Sequence, residues 1–297
     1  MLQMNHPYII HNIELTNHCI MNCTMCPRTY AMTREQGYID FDLFCSCIDQ
    51  YKKDNPNAAR SHVWLHHFGE SLLHPQFDKC IFYMRKNRLL PALSLNPAAL
   101  TPEKSLRLIK SNPYLLYLSL DGYDEETFSA IRGVRGQWEK SKANALYFLK
   151  IKEQYNKNIK VVLSVIDFPE KKEMVNKARE FWTSVKGVDE FLAKPYTDFS
   201  GDVENIASGN TEYSKCKTPF WAMTIAWDGR VLPCCFDYDA KYPLGHMAEK
   251  SLREIWNDLP MQSLRKEFND EDVTCSLCHN CSSGGKWSRS IGELEKP

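Results

Sequence analysis

Short apolar runs alternate with longer amphipathic stretches from residue 9 to about residue 193. The apolar runs are of strand length and predict β-strands, whereas the amphipathic stretches repeat with the period of a helix. The predicted strands cover residues 9–15, 62–68, 92–95, 115–120, 159–166 and 189–192. The predicted helices cover residues 41–53, 76–86, 102–111, 138–154 and 170–185, and residues 121–127 open a further short helix.

This repeated strand–helix order predicts parallel strands joined by right-handed crossovers. About six units fit the chain, whereas a complete barrel has eight, so we expect a partial (β/α)6 barrel. Chemistry in such folds occurs at the carboxyl ends of the strands. The residues that follow the first four strands are polar or reactive: Cys19, then Gly69 and Glu70, then Asn96, then Asp121.

The pattern changes after Pro195. Residues 197–210 are rich in Gly, Asp, Ser and Asn, which is typical of a linker. Residues 222–234 predict a hairpin that turns at Asp228-Gly229, and short helices are predicted near residues 251–257 and 261–269. We therefore predict two domains: a barrel over residues 1–205 and a small cysteine-rich domain over residues 206–297.

Composition narrows the class of protein. The 297 residues are 43% hydrophobic and 25% charged, which is typical of a globular protein and not of a disordered or membrane protein. Lys plus Arg and Asp plus Glu both number 37, so the zero net charge gives no indication of a nucleic-acid or membrane surface. No apolar run is long enough to span a membrane, and the N-terminus does not have the pattern of a signal peptide. We expect a cytoplasmic protein.

Twelve cysteines are the unusual feature of this composition. In a reducing compartment, clustered cysteines more often bind metal than form disulfides. Cys45, Cys47 and Cys80 lie in predicted helices and are expected to be buried side chains. The other nine form two groups, one of Cys19, Cys23 and Cys26 and one of Cys216, Cys234, Cys235, Cys275, Cys278 and Cys281.

The first group has the spacing C-x3-C-x2-C, at Cys19, Cys23 and Cys26. Three thiolates on one short loop can bind three irons of a cubane cluster, which leaves the fourth iron open to a substrate or cofactor. Zinc is the alternative, although structural zinc sites prefer four ligands arranged as C-x2-C pairs.

This loop resembles the signature of the radical S-adenosylmethionine (SAM) superfamily, and the resemblance covers nearly the whole chain. It implies that SAM binds the open iron of a [4Fe–4S] cluster. It also implies that one electron cleaves SAM to a deoxyadenosyl radical, which takes a hydrogen atom from a substrate. The electron would come from a donor such as flavodoxin or ferredoxin.

The same resemblance implies further SAM contacts. Met25 occupies the position before the third cysteine, where relatives usually carry an aromatic residue that packs on adenine. Gly69 and Glu70 resemble the family's Gly-Glu motif, whose acid receives the SAM ammonium. Asn96 lies where many relatives have a Thr-Asn-Gly contact, but Pro97 follows it here and implies a different turn.

The stretch after the fourth strand resembles the family's ribose- and carboxylate-binding segment. By this resemblance Ser119 would bond the ribose, and Arg132 would pair with the SAM carboxylate. Asp121 belongs to the same stretch, or it caps the next helix. Ser164, on the fifth strand, lies near the place where relatives hold adenine.

The second group resembles the twitch form of the SPASM extension, which holds one auxiliary [4Fe–4S] cluster. The resemblance rests on Cys216, Gly229 and Cys234, followed by Cys278 and Cys281. The run of cysteines that binds a second auxiliary cluster in the fuller form is not found. Cys275 and Cys278 are also spaced as C-x2-C, so the ligand choice stays open, with the pair 278 and 281 preferred. A zinc ribbon is the alternative.

Relatives of this architecture act on sugars and cyclitols or modify ribosomal peptides. The peptide modifiers often have a leader-binding domain, and none is expected in the eighteen residues before Cys19. The short chain resembles aminocyclitol dehydrogenases and aminoglycoside epimerases, so our first interpretation is oxidation of an alcohol carbon on a polar small molecule. In an epimerase Cys235 or Cys275 would donate hydrogen. Peptide modification and a zinc-bound non-enzymatic module are the remaining alternatives.

Anaerobic reconstitution is expected to load about eight irons per chain, in two four-iron clusters. Replacing Cys19, Cys23 and Cys26 together by Ala should leave about four irons and abolish SAM cleavage. Iron and sulfide analysis with chromatography of deoxyadenosine measures both effects. Normal deoxyadenosine formation by the triple variant would contradict the assignment of the catalytic loop.

Overall fold

The computed structural model describes residues 8–58, 61–196 and 216–279, together with Cys281. Nine strands are present in these ranges: β1 (Ile9–Ile13), β2 (His62–Trp64), β3 (Leu90–Leu95), β4 (Leu115–Ser119), β5 (Lys160–Asp167), β6 (Glu190–Pro195), β7 (Ala222–Ile225), β8 (Arg230–Leu232) and β9 (Gly245–His246). The α-helices of the same ranges are α1 (Pro27–Tyr30), α2 (Phe41–Asp54), α3 (Phe77–Lys86), α4 (Pro102–Ser111), α5 (Glu125–Arg132), α6 (Trp138–Tyr155), α7 (Lys172–Thr183), α8 (Leu252–Trp256), α9 (Leu259–Asn269) and α10 (Ser276–His279).

All nine strands form one sheet, in the order β6-β5-β4-β3-β2-β1-β7-β8-β9. The first six strands pair in parallel with their sequence neighbours, and helices connect them. The predicted partial (β/α)6 barrel is therefore confirmed. Cys47 and Cys80 are fully buried in α2 and α3, as expected, whereas Cys45 is partly exposed.

The start of α5 differs from the prediction. This helix begins at Glu125, and Asp124 is its N-cap because the Asp124 carboxylate accepts a hydrogen bond from the amide of Thr127. Asp121 is buried instead and forms an ion pair with Arg132 at 2.7 Å. The interpretation of Asp121 as a helix cap is wrong, since a cap three residues later competes for the same helix.

The C-terminal hairpin extends the barrel sheet. Strand β7 lies parallel to β1, and β8 and β9 follow as antiparallel neighbours. The predicted turn is confirmed at Gly229, whose φ of +94° suits a residue without a Cβ. The pairing of β7 with β1 was not anticipated by the sequence. The predicted linker and the domain division after residue 205 lie outside the described residues, so the division stays a prediction.

The inner face of the sheet has two layers. The lower layer is apolar and contains Trp64, Ala92, Leu115, Tyr117 and Val162, with Leu192 packed against them. Two residues further along the strands, towards their carboxyl ends, the inward side chains are polar. One polar residue comes from each of the first six strands or its immediate extension: Asn12, His66, Ser94, Ser119, Ser164 and Lys194. We call this second layer the polar floor.

Glu14, just after β1, is a fully buried carboxylate with several partners. Both of its oxygens accept from the guanidinium of Arg34 at 2.6 Å, and His67 Nδ1 lies 3.4 Å from one of them. The amides of Phe68 and Trp227 also donate to it, each at 3.3 Å. Burial alone would raise the pKa of Glu14, but the bonds to His67 and Arg34 lower it below its usual range.

Arg34 continues this network into the C-terminal part of the chain. Its Nε donates to the carbonyl of Tyr238 at 2.7 Å. Its amide and the amide of Thr33 donate to one carboxylate oxygen of Asp239. The loop after the three cysteines is thereby fixed to both the barrel and the C-terminal part.

None of the helices in the described residues combines the length and the apolar composition needed to cross a membrane. The cytoplasmic location stays a prediction.

Replacing Glu14 by Gln should destabilise the protein by about 3–5 kcal/mol, because the Arg34 charge would stay buried without its partner. Since the folded-state pKa of Glu14 is lowered, this stability is present at neutral pH and is lost as the pH falls below the range of an unfolded carboxyl group. Urea unfolding of the reconstituted protein at neutral pH measures the change.

Asp78→Asn is the matched control. Asp78 accepts two bonds from Arg107, but both side chains are about 30% exposed, so the expected loss is about 0–1 kcal/mol. Equal losses for the two variants would show that burial does not set the strength of the Glu14 pair.

Candidate active site

A cavity of about 570 Å³ opens at the carboxyl ends of the parallel strands. The three-cysteine loop, the ends of β2, β3 and β4, and the last residues of β6 surround it. Predicted site residues that line it are Cys19, Cys23, Cys26, Met25, Gly69, Glu70, Asn96, Ser119, Arg132 and Cys235. The structure therefore brings most of the residues singled out from the sequence into one place.

The three-cysteine loop is held in position by the end of α5. The amide of Asn22 donates to the carbonyl of Arg132 at 3.1 Å, and the amide of Thr24 donates to the carbonyl of Ile131 at 3.0 Å. Gly133 must be glycine here, because its φ is +69° and a Cβ would lie 1.9 Å from the carbonyl oxygen of Asn22. This contact explains why an Ile-Arg-Gly sequence ends that helix.

Glu70 lies against the same loop and is almost fully buried. Its amide donates to the carbonyl of His18, and its carboxylate accepts from the amides of Leu72 at 3.1 Å and Asn96 at 2.6 Å. Burial raises the pKa of Glu70 to about 7, and the two amides partly oppose that shift. Gly69 allows this close approach, since a Cβ would lie 2.1 Å from the carbonyl oxygen of Thr16.

Arg132 reaches the cavity from α5. One terminal nitrogen binds both Asp121, at 2.7 Å, and the carbonyl of Ser119, at 2.8 Å. The other lies 3.7 Å from the sulfur of Cys23, and Nε has no protein partner. The hydroxyl of Ser119 lies 3.2 Å from that of Ser164, which is fully buried and does not line the cavity. Ser164 therefore reaches the cavity only through Ser119.

Two members of the polar floor that were not predicted from the sequence, His66 and Lys194, also line the cavity. Ser94 donates its amide to His66 Nδ1 at 3.2 Å. Burial lowers the pKa of His66 to about 3, and the Lys194 charge adds to that effect. The imidazole is thus neutral with its hydrogen on Nε2. Both residues could have been found as polar side chains at inward positions near strand ends.

Cys216, Cys234, Cys278 and Cys281 line a second, smaller cavity. Cys275 is absent from the residues that line it, but the Cys275 thiol contacts that of Cys278, and its amide donates to the carboxylate of Glu267 at 2.8 Å. The choice between Cys275 and Cys281 as a ligand therefore stays a prediction.

Cys234 and Cys235 stand between the two cavities. Cys234 lines the smaller one, and Cys235 lines the large one. His67 Nε2 lies 2.7 Å from the carbonyl oxygen of Cys235, so the Glu14 network fixes this dipeptide against the barrel. Cys275 does not line the large cavity. Of the two cysteines predicted as hydrogen donors, Cys235 is therefore the one that reaches it.

The cysteines of both cavities are compatible with iron–sulfur clusters. Among the described residues, no three His, Cys, Asp or Glu side chains converge closely enough to hold a single metal ion. A structural zinc site needs its ligands around one atom, whereas a cubane cluster binds each thiolate to a different iron. Asn96 Nδ2 and Arg132 Nε are buried polar atoms without a protein partner beside the cavity, as a polar cofactor would require.

Residues 216–282 match SPASM, an iron-sulfur cluster-binding domain. The chain is 20% identical over 283 residues to the S-adenosyl-L-methionine-dependent 2-deoxy-scyllo-inosamine dehydrogenase of Niallia circulans, a match that covers 94% of this chain and 95% of that protein. The structure of BtrN in complex with AdoMet and 2-DOIA matches with a TM-score of 0.62 at 18% identity over 94% of both chains. Streptococcus suis SuiB bound to precursor peptide SuiA matches with a TM-score of 0.70 at 17% identity, covering 94% of this chain and 72% of SuiB.

A partial parallel barrel with a three-cysteine loop at its mouth and a cluster-binding domain after it defines a class of metalloprotein. The chain resembles radical SAM proteins of the SPASM type: residues 216–282 match the cluster-binding domain, and nearly the whole length is similar to a SAM-dependent dehydrogenase. Proteins of this type bind SAM and [4Fe–4S] clusters, an auxiliary cluster among them.

Replacing Glu70 by Gln should weaken SAM binding about tenfold, because a charge-assisted bond to the ammonium would become neutral. Equilibrium binding of SAM to the reconstituted variant measures the loss. Glu103→Gln is the control, since the Glu103 side chain is 81% exposed on α4. Unchanged SAM affinity in a fully iron-loaded Glu70 variant would place Glu70 outside the SAM site.

Proposed function

We propose that the protein cleaves SAM reductively, takes a hydrogen atom from a polar small molecule such as a sugar or cyclitol, and oxidises an alcohol carbon. The observation that carries this proposal is the dipeptide Cys234-Cys235. Cys234 lines the smaller cavity and Cys235 lines the large one, which supports an auxiliary cluster with one ligand adjacent to the wall of the substrate cavity. The overall similarity to a dehydrogenase along nearly the whole chain supports the same reaction.

Each predicted site residue has a role in this proposal. Cys19, Cys23 and Cys26 hold the catalytic cluster, which with SAM supplies the radical that takes the hydrogen atom. Glu70 accepts from the SAM ammonium, and Asn96 contributes its unpaired amide beside it. Arg132 faces the SAM carboxylate with the nitrogens that Asp121 does not occupy.

The remaining contacts orient SAM and receive the substrate. Met25 packs on adenine, Ser119 bonds the ribose, and Ser164 holds the Ser119 hydroxyl from behind. The polar floor offers hydroxyl, amide, imidazole and ammonium groups above an apolar layer. Such a surface suits a substrate that carries several hydroxyl groups.

The auxiliary ligands in this proposal are Cys216, Cys234, Cys278 and Cys281. A cluster there would accept the one electron that the substrate radical loses when the alcohol carbon becomes a carbonyl, and the hydroxyl releases a proton in the same step. An external donor such as flavodoxin or ferredoxin reduces the catalytic cluster. The domain boundary near residue 205 belongs to the same proposal.

Two observations favour other reactions of the same class. Cys235 lines the large cavity and could return a hydrogen atom to the substrate, which would make the protein an epimerase. Cys275 lacks that position and is a weaker candidate. The fold is also shared with SuiB bound to a precursor peptide, so peptide modification is the alternative substrate class.

One turnover in deuterium oxide is expected to distinguish these reactions. The reconstituted protein is supplied with SAM, dithionite and a panel of sugars and cyclitols, and products are weighed by mass spectrometry. Oxidation gives a product about two mass units lighter, whereas return of hydrogen from an exchangeable thiol gives one about one unit heavier.

Replacing Cys216 and Cys234 together by Ala should stop formation of oxidised product while some SAM cleavage continues. The control is Cys45→Ala, since Cys45 lies in α2 and lines neither cavity. This variant should change neither the yield of oxidised product nor the rate of SAM cleavage. A product one unit heavier that disappears in Cys235→Ala would replace oxidation by epimerisation. Turnover of a peptide and of no sugar or cyclitol would overturn the substrate class.

A further inference from the structure

Among the described residues that line the large cavity, Glu70 is the one carboxylate, whereas Arg28, Arg132 and Lys194 are cations. The thiols of the three-cysteine loop belong to the proposed catalytic cluster, and Arg132 already pairs with Asp121 at 2.7 Å. If Glu70 meets the SAM ammonium, this wall offers no second carboxylate for an amine on the substrate. Lys194 is left as a cation that suits an acceptor or anionic group on the substrate.

Lys194 differs from the other two cations in its surroundings. It lies on β6, at the edge of the sheet, and faces inward from the polar floor. Its ammonium lies 5.7 Å from the ring centroid of Tyr117. Among the described residues no carboxylate lies within ion-pair distance of it, because the nearby Asp121 is bound to Arg132 at 2.7 Å and to the amide of Ile166.

His66, two residues beyond the end of β2, faces the same space from the far side of the floor. Its Nδ1 is occupied by the Ser94 amide, so its Nε2 hydrogen remains available to an acceptor in the cavity. Between the two residues, the Ser119 hydroxyl lies 3.1 Å from that of Ser94 and 3.2 Å from that of Ser164. The floor thus carries a cation at one end and a neutral donor at the other.

We infer that Lys194 forms a subsite for an anionic oxygen group, a carboxylate or a phosphate, on the substrate, and that His66 donates to another acceptor of the same substrate at the far side of the floor. This inference rests on the proposed function and narrows its substrate class to acidic or phosphorylated sugars and cyclitols. A half-buried ammonium with no carboxylate at ion-pair distance among the described residues has lost part of its hydration, and an anionic group on the substrate would complete the pair.

The electrostatics agree with this geometry. Burial lowers the pKa of Lys194 to about 8, while Asp121 raises it and Arg132 lowers it. The other groups that face the ammonium are His66, which is neutral, and the Tyr117 ring. A bound anion should therefore raise the Lys194 pKa, and a neutral sugar should not.

Binding of four matched sugars tests the inference on iron-loaded protein saturated with SAM. D-Glucuronate and D-glucose 6-phosphate carry the two candidate anions, whereas D-glucose and D-glucosamine are the neutral and cationic controls. We expect at least one anionic sugar to bind about tenfold more tightly than glucose. Lys194→Met should remove the preference, and Lys194→Arg should keep part of it. Lys186→Met, at a side chain 83% exposed, should keep all of it.

Acylation of lysines, read by mass spectrometry across pH, gives a second readout that does not depend on turnover. The preferred anionic sugar should protect Lys194 and shift its reactivity to higher pH, whereas glucose should not. If neither anionic sugar binds better than glucose or protects Lys194, the inference is overturned. It is also overturned if SAM alone gives full protection, since Lys194 would then belong to the SAM site. Failure of the wild-type protein to cleave SAM would instead overturn the proposed function.

Discussion

The buried carboxylate of Glu14 joins the parts of the protein that must keep fixed positions around the cavity. It lies at the end of β1 and binds Arg34, which follows the three-cysteine loop. It also contacts His67 at the end of β2 and the amide of Trp227 in the hairpin. A buried ion pair gains little net stability over an apolar core, but it tolerates few alternative arrangements. Its value here is that one carboxylate sets the geometry of three segments at once.

This constraint relates the two groups of cysteines. Arg34 holds the loop that carries the first group, and it binds Tyr238 beyond the Cys234-Cys235 dipeptide. His67 holds the carbonyl of Cys235. A shift of the C-terminal segment away from the barrel would therefore break several hydrogen bonds to buried groups, each of which is costly to leave without a partner. The spacing between the two cavities depends on this network.

Much of the fold could be predicted because the periods of strands and helices are visible in the sequence. The barrel helices were placed to within about two residues, and the two cysteine spacings indicated both cavities. The start of α5 was misplaced because Asp121 and Asp124 both have the chemistry of a cap, and only packing distinguishes them. Lys194 was missed because the sixth strand was predicted to end at residue 192, whereas β6 extends to Pro195 and brings Lys194 to an inward position. The pairing of β1 with β7 joins residues more than two hundred positions apart, which local patterns do not encode.

Because β1 pairs with β7, the barrel is linked to the second group of cysteines by hydrogen bonds as well as by the covalent chain. The covalent route from the barrel to the second group of cysteines runs through residues 197–215, but the hydrogen-bonded route passes directly from β1 to β7. Sheet hydrogen bonds and the Arg34 contacts thus fix the C-terminal segment directly against the barrel. The spacing of the two cysteine groups is therefore a property of the sheet, set where β1 meets β7.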